Sequence, residues 1–308
     1  MFSEYVVFEK QPDNKNNKNE IVAYTAALET LYMLAESKNE DALKYIEFIE
    51  NEQLFTNKSE IVKRKKKNRN RINLMFGATL ILENRYKLIS NLIQNSKCKN
   101  ILDIACGYTP RAYSVARQGI NYVGIDVIGV IDTIEPIVVN LLENKEQISY
   151  ICGDILNSEI VISASNYLNG ELFILSDGIL QNFTVNEMNN FINTIKLVLN
   201  KHGGAWYTSD FETTCDTITA IYFNCEDSYI KNLADLRPII EKSKLFFEEY
   251  AETEERIKFI ENYGIVIEKI PLYSDKIELN TLQKVSGKKK EKIISELKKN
   301  YIWKMTLM

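Results

Sequence analysis

Short apolar runs alternate with longer stretches of helical period along most of this chain. Seven of the runs have strand length and composition: residues 101–105, 122–125, 147–152, 171–176, 205–211, 264–270 and 301–307. Ile21, Tyr24, Leu28, Leu31 and Ala35 recur at spacings of three or four, which predicts a helix over 21–37. The same pattern predicts helices over 41–51, 75–95, 111–118, 188–199, 246–263 and 288–300, and a loop and helix over 128–142 interrupted at Pro136. Thr184 and Glu187 have capping-box spacing ahead of the 188–199 helix, and Gly119 is placed to close the 111–118 helix. Residues 11–20, rich in Asn and Lys, read as an exposed irregular segment.

Composition narrows the class without naming a function. The 308 residues are 45% hydrophobic and 26% charged, as in a globular protein with a sizeable core. A net charge of -4 and a pI near 5.4 do not suggest a dedicated nucleic-acid binder. The five cysteines are odd in number and widely spaced, so neither a disulfide framework nor a metal site is expected, and Cys106 and Cys152 read as small core residues. The N-terminus carries charge too early for a signal peptide and no apolar run reaches membrane-spanning length, so the expectation is a cytoplasmic protein that binds no membrane. Residues 58–71 hold eight basic residues and one acid; no aromatic is interleaved, so a solvated face is favoured over base stacking.

The chemistry concentrates in residues 100–126. A buried strand, a small-residue turn at Cys106-Gly107, a helix and a second strand ending on Asp126 describe a right-handed parallel crossover. Its loop lies at the carboxyl edge of the sheet, where open α/β folds bind ligands, and an acid at the tip of the second strand can accept from both hydroxyls of a ribose. Dinucleotide sites use several glycines to admit a pyrophosphate; here the turn has one, Gly107, followed by bulky Tyr108. S-adenosylmethionine has no phosphate, and one close backbone approach suffices for its methionine half. Asp103-Ile-Ala105-Cys106-Gly107 resembles the first motif of class I methyltransferases, Asp-x-Gly-x-Gly, with alanine for the first glycine. Asp154, followed by Ile155, suits an adenine through its amine and its ring face, although a helix N-cap explains Asp154 equally well. Arg85, on the helix before the turn, is a candidate partner for the cofactor carboxylate, or else a surface residue paired with Glu83. The single histidine, His202, sits at a strand-entry turn away from the ligand edge.

Further fragments resemble the leucine carboxyl methyltransferase superfamily, in particular its tetracenomycin-synthesis type of O-methyltransferase. Arg85-Tyr-Lys-Leu-Ile-Ser90 is similar to the family's Arg-Thr-x-x-Ile-Asp, with serine replacing the aspartate. Cys106-Gly107-Tyr-Thr-Pro-Arg111 is similar to Ala-Gly-Leu-Asp-Thr-Arg, and Asp126-Val127-Ile-Gly-Val-Ile131 to Asp-Leu-Pro-x-Val-Ile. Ser176-Asp177-Gly178-Ile-Leu180-Gln-Asn-Phe183 resembles Glu-Gly-Leu-Leu-x-Tyr-Leu. The resemblance implies an α/β fold: a seven-stranded, mostly parallel Rossmann-like methyltransferase sheet with helices on both faces, the last strand antiparallel between the fifth and sixth. The helical spacings ahead of the first strand predict an N-terminal helical cap over residues 1–95, and the long, aromatic stretch after the fifth strand predicts a substrate-covering insertion near 212–250 in a methyltransferase domain over 96–308.

Carried to this chain, the resemblance puts Arg85 on the cofactor carboxylate, Ala105, Cys106 and Gly107 beside its methionine backbone, and Asp126 with Val127 at the ribose. Asp154 and Ile155 would take the adenine, and Asp177 with Gly178 the methionine amino side. The expected activity is methylation of a small-molecule carboxylate or hydroxyl from S-adenosylmethionine, releasing S-adenosylhomocysteine, with no metal and no nucleic-acid partner. A carboxylate acceptor needs no base at pH 7, whereas a hydroxyl would benefit from one. Tyr108, Tyr113 and Asp210 are candidates to line the acceptor side. The competing readings are a protein-carboxyl or tRNA-modifying methyltransferase, supported by the basic run alone, and a non-catalytic nucleoside-binding module.

Overall fold

A computed structural model describes residues 16–52, 69–143, 145–212 and 246–308. Among the described residues three helices come first: α1 (Asn16–Glu36), α2 (Glu40–Asn51) and α3 (Arg69–Ser96). Then follow β1 (Asn100–Ile104), α4 (Arg111–Ala116), β2 (Asn121–Asp126), α5 (Ile128–Leu141), β3 (Ile148–Cys152) and α6 (Ser158–Ser165). The second half holds β4 (Leu172–Ser176), α7 (Val185–His202), β5 (Gly204–Thr208), α8 (Phe246–Glu249), α9 (Thr253–Glu261), β6 (Ile265–Pro271), α10 (Gly287–Leu297) and β7 (Tyr301–Leu307).

The strands form one seven-stranded sheet in the order β3-β2-β1-β4-β5-β7-β6. Strands β1 to β5 pair in parallel, and β7 runs antiparallel between β5 and β6. That is the Rossmann-like methyltransferase sheet expected from the sequence, including the reversed last strand. The chain order reverses at β1 and β4, which lie side by side, so the crevice between their carboxyl ends is the ligand edge.

Side-chain alternation divides the core by face. Ile101, Tyr122, Phe173 and Tyr207 point to one side, where α1, α2, α4 and α5 bury Leu31, Tyr45, Ala112 and Ile134 against them. Leu102, Val123, Ile174 and Trp206 point to the other, under Val161 of α6 and Phe191 and Ile195 of α7. The N-terminal helices thus share the sheet's own core. A smaller cluster joins Leu80 and Ile81 of α3 to Ile293 and Leu297 of α10.

Several boundaries differ from the expected ones, each for a local reason. Helix α1 begins at Asn16, because a nucleated helix extends through polar residues at little cost; residues 11–15 lie outside the described part. Helix α5 is continuous through Pro136. Its missing hydrogen bond costs about 3 kcal/mol. Burial of Val130, Ile131, Ile134, Ile137 and Val138, at roughly 1.5–3 kcal/mol each, outweighs that. The 246–263 helix is broken in two. Arg256, 1% exposed, donates to the carbonyls of Tyr250, Ala251 and Phe211, and a capping box of Glu252 and Glu255 starts the second piece. The Thr184–Glu187 capping box forms as expected, and Gly119 has a positive φ of 69° at the end of its helix. The 58–71 basic run lies outside the described residues apart from Arg69 to Arg71 at the start of α3, and the 212–250 insertion lies mostly outside them.

Candidate functional site

The turn after β1 is held from the tip of β2. Asp126 is 8% exposed; its Oδ2 accepts the Gly107 N–H at 2.8 Å and its Oδ1 accepts the Val127 N–H at 2.8 Å. Burial pushes its carboxyl above the usual range, and the two N–H groups pull it back. Each oxygen keeps a second lone pair, so the carboxylate is oriented by backbone and still able to accept. Ala105 (φ 59°) and Gly107 (φ 55°) both lie in the left-handed region, strained for the alanine and free for the glycine, and the chain turns sharply at the strand end. Cys106 points inward, 3% exposed, and its N–H bonds Ile125 O at 3.1 Å, stitching the turn to β2. Ala27 of α1 stands over Gly107: a Cβ there would lie 3.6 Å from the Ala27 Cβ. The first helix therefore closes over the turn.

Beneath the turn is an ionic group to which sequence reasoning gave no role. Asp103 on β1, 4% exposed, accepts from Tyr122 Oη at 2.9 Å and faces Arg111 Nε at 3.5 Å. The Arg111 guanidinium lies 4.9 Å from the Tyr86 ring centroid. The neighbouring Gly124 makes room: a Cβ on it would meet the Tyr150 ring at 2.9 Å and Cys106 Sγ at 3.0 Å. The signal in the sequence was an acid inside an otherwise apolar strand, which requires a buried partner. Burial raises the Asp103 carboxyl to about 6, against the lowering effects of Arg111 and Tyr122. A folded-state value above the unfolded one means the native state binds the proton more tightly, so this group's contribution to stability declines as pH rises from about 4 to about 6. Asp103→Asn should flatten that part of the stability profile, as read by urea midpoints at several pH values; an unchanged slope would contradict the assignment.

A second ionic group closes the other side of the crevice. Arg85 of α3 donates through Nη2 to Asp177 Oδ1 and lies 3.5 Å from Asp210 Oδ1. Ser209 Oγ donates to the same Asp177 oxygen at 2.6 Å. Asp177 Oδ2 has no hydrogen-bond partner among the described residues, and Arg85 Nε is a buried donor without one. Asp210, 6% exposed, accepts the successive N–H groups of Gly178, Ile179 and Leu180 at 2.7, 2.8 and 2.9 Å. Strand β5 ends at Thr208, earlier than expected, and Ser209 and Asp210 make these bonds beyond its end. Arg85 is no surface residue, and Glu83 is not its partner. Glu83 accepts instead from Lys87 and from the backbone of Asn280 and Thr281.

The remaining candidates are distributed around this edge. Asp154 and Ile155 follow β3, and the loop is tied to the end of β2 by Gly153 N–H to Asp126 O at 2.9 Å. Asp154 is exposed, and its Oδ1 accepts the Leu156 N–H at 2.9 Å. The N-cap of α6 is Asn157, so capping does not account for Asp154. Three candidates for the acceptor side are otherwise engaged. Tyr108 is fully buried with its hydroxyl toward Gly129 O, Tyr113 packs against Tyr45 under Lys44 and Arg117, and Asp210 is consumed by backbone and Arg85. His202 ends α7 before β5, at the opposite edge of the sheet, with Nε2 3.1 Å from Ser165 Oγ. Among the described residues no group of three or more His, Cys, Asp or Glu side chains could hold a metal ion, and no helix is long and apolar enough to cross a membrane.

No protein-family model and no curated protein matches the chain. Solved structures give distant likenesses. A candidate O-methyltransferase from Nostoc punctiforme is 14% identical, with 91% of this chain and 72% of that one covered and a TM-score of 0.46. The methyltransferase domain of a bacterial Hen1 protein is 12% identical, covering 74% and 98%, with a TM-score of 0.45. The magnesium protoporphyrin IX methyltransferase of Synechocystis, solved with S-adenosylhomocysteine, is 12% identical, covering 79% and 89%, with a TM-score of 0.42. Identities this low transfer no activity, and function has to be read from this chain's own residues.

Proposed function

We propose that this protein is an S-adenosylmethionine-dependent methyltransferase acting on oxygen of a small molecule, a carboxylate or a hydroxyl. The observation that carries the reading is the pairing of two prepared groups on one sheet edge: Asp126, oriented by Gly107 and Val127, and Arg85 with Asp177 across the β1–β4 crevice. The first suits a ribose diol and the second an amino-acid zwitterion. The orphaned Arg85 Nε is a donor awaiting a carboxylate, and the open Asp177 Oδ2 an acceptor awaiting an ammonium. Asp154 and Ile155 are assigned to the adenine, with Val127 and Gly178 at its ribose and amino-acid ends.

Charge supports the same ligand. Asp103, Asp126, Asp177 and Asp210 outnumber Arg85 and Arg111 along this edge, which favours a cofactor bringing both a sulfonium and an ammonium. S-adenosylmethionine supplies a methyl group already activated for displacement, leaving the protein to position it and exclude water. The sole histidine is at the far edge, so an imidazole base is not part of the proposal, and a carboxylate acceptor requires none. The sheet domain is assigned to residues 96–308 and the helical cap to 1–95. The test is incubation with methyl-labelled S-adenosylmethionine and candidate carboxylic acids and phenols. Label in a small product supports the reading; label only in protein or tRNA would replace it with the macromolecular alternative.

A further inference from the structure

Asp210 touches none of the atoms assigned to the cofactor, yet it organises the group that receives the methionine end. Its carboxylate gathers three consecutive backbone N–H groups, from Gly178 to Leu180, at 2.7–2.9 Å. A carboxylate holding that many N–H groups fixes the path of the loop after β4, and the loop begins with Asp177. The neighbouring Ser209 donates to Asp177 Oδ1, so two adjacent residues after β5 set the orientation of one acid after β4. Asp210 Oδ1 also lies 3.5 Å from Arg85 Nη2, bringing α3 into the same arrangement.

We propose that Asp210 is a positioning residue for the amino-acid half of the cofactor, acting through Asp177, Gly178 and Arg85. This deepens the methyltransferase reading and rests on it. Asp210 has two effects. It keeps Asp177 Oδ2 free by holding the loop without help from that oxygen. It also shares the Arg85 guanidinium, so that Asp177 is not fully neutralised by its partner and can still attract an ammonium. An amide in its place would set an NH2 or a single oxygen against three N–H donors, forcing the loop to shift and leaving Arg85 to Asp177 alone.

Two ligands separate this role from a general structural one. S-adenosylhomocysteine has the nucleoside, the thioether and the amino-acid tail; 5′-methylthioadenosine lacks the tail. In calorimetric titrations of Asp210→Asn, S-adenosylhomocysteine should bind about tenfold or more weakly than to the wild type. Binding of 5′-methylthioadenosine should be unchanged. Should Asp210→Asn fail to fold, Asp210→Glu, which keeps the charge but displaces it, should show the same selective loss at smaller size. Equal losses for both ligands, a larger loss for 5′-methylthioadenosine, or no loss for either would overturn the proposal. Wild-type protein that binds neither ligand would instead contradict the methyltransferase reading on which it rests.

Discussion

Arg85→Met should destabilise the folded protein by about 3 kcal/mol at neutral pH, the low end of the range for a broken buried pair, because Arg85 and Asp177 are partly buried and only the Asp210 carboxylate is left uncompensated in the interior. Two carboxylates are left here, Asp177 and Asp210, and the Asp210 carboxyl is already pushed up by burial and by Asp177, with Arg85 pulling it down. Without Arg85 its folded-state value rises further above the unfolded one. The native state then holds the proton more tightly, and stability falls as pH rises from the ordinary carboxylate range through the folded value. The deficit should be smallest in acid and grow toward neutrality, which urea unfolding at a series of pH values would resolve. Arg85→Lys should lose less, since a point charge remains although the planar fork is gone. Both variants should bind S-adenosylmethionine more weakly while turnover at saturating cofactor falls little, because the carboxylate end is remote from the methyl group. A variant lacking Arg85 with wild-type stability and affinity would remove the residue from the account.

Asp126→Ala combines a ligand effect with a structural one. Loss of a hydrogen bond between a charged group and a ribose hydroxyl is worth about 1.5–3 kcal/mol, or roughly 10- to 150-fold in the dissociation constant of S-adenosylhomocysteine. The same change orphans the Gly107 and Val127 N–H groups, so the turn itself should loosen and the melting temperature fall. Asp126→Asn, with one acceptor oxygen left, should lie between the two on both measures. Calorimetry on the folded variants separates the effects, and an affinity within about twofold of the wild type would exclude Asp126 from the ribose.

Much of this architecture was legible in the residues. Apolar runs buried on both faces, such as Ile101–Ile104 and Leu172–Leu175, leave little freedom in where the strands fall, and Thr184 with Glu187 marks a helix start by a local bond that needs no tertiary context. Asp126 was legible because an acid that ends a buried parallel strand lies at the carboxyl edge of the sheet. What pattern reading missed depends on contacts between elements distant in sequence. Pro136 reads as an interruption in the sequence because its local cost is visible and the burial that offsets it is not. Asp210 is only one of three candidates for the acceptor side in the sequence, which gives no hint that the β4 loop folds around it. Asp103 and Arg111 are separated by a turn and meet only when α4 packs back on the sheet.

The central claim is that one nucleoside ligand spans the crevice from Asp126 to Arg85, and the measurement that tests it most directly is a crystal structure of the protein with S-adenosylhomocysteine. The ribose hydroxyls should lie within hydrogen-bond distance of Asp126, the adenine beside Asp154 and Ile155, and the carboxylate on Arg85 with the ammonium on Asp177. A ligand bound elsewhere, or one seated at Gly107 while Arg85 turns to solvent, would contradict it.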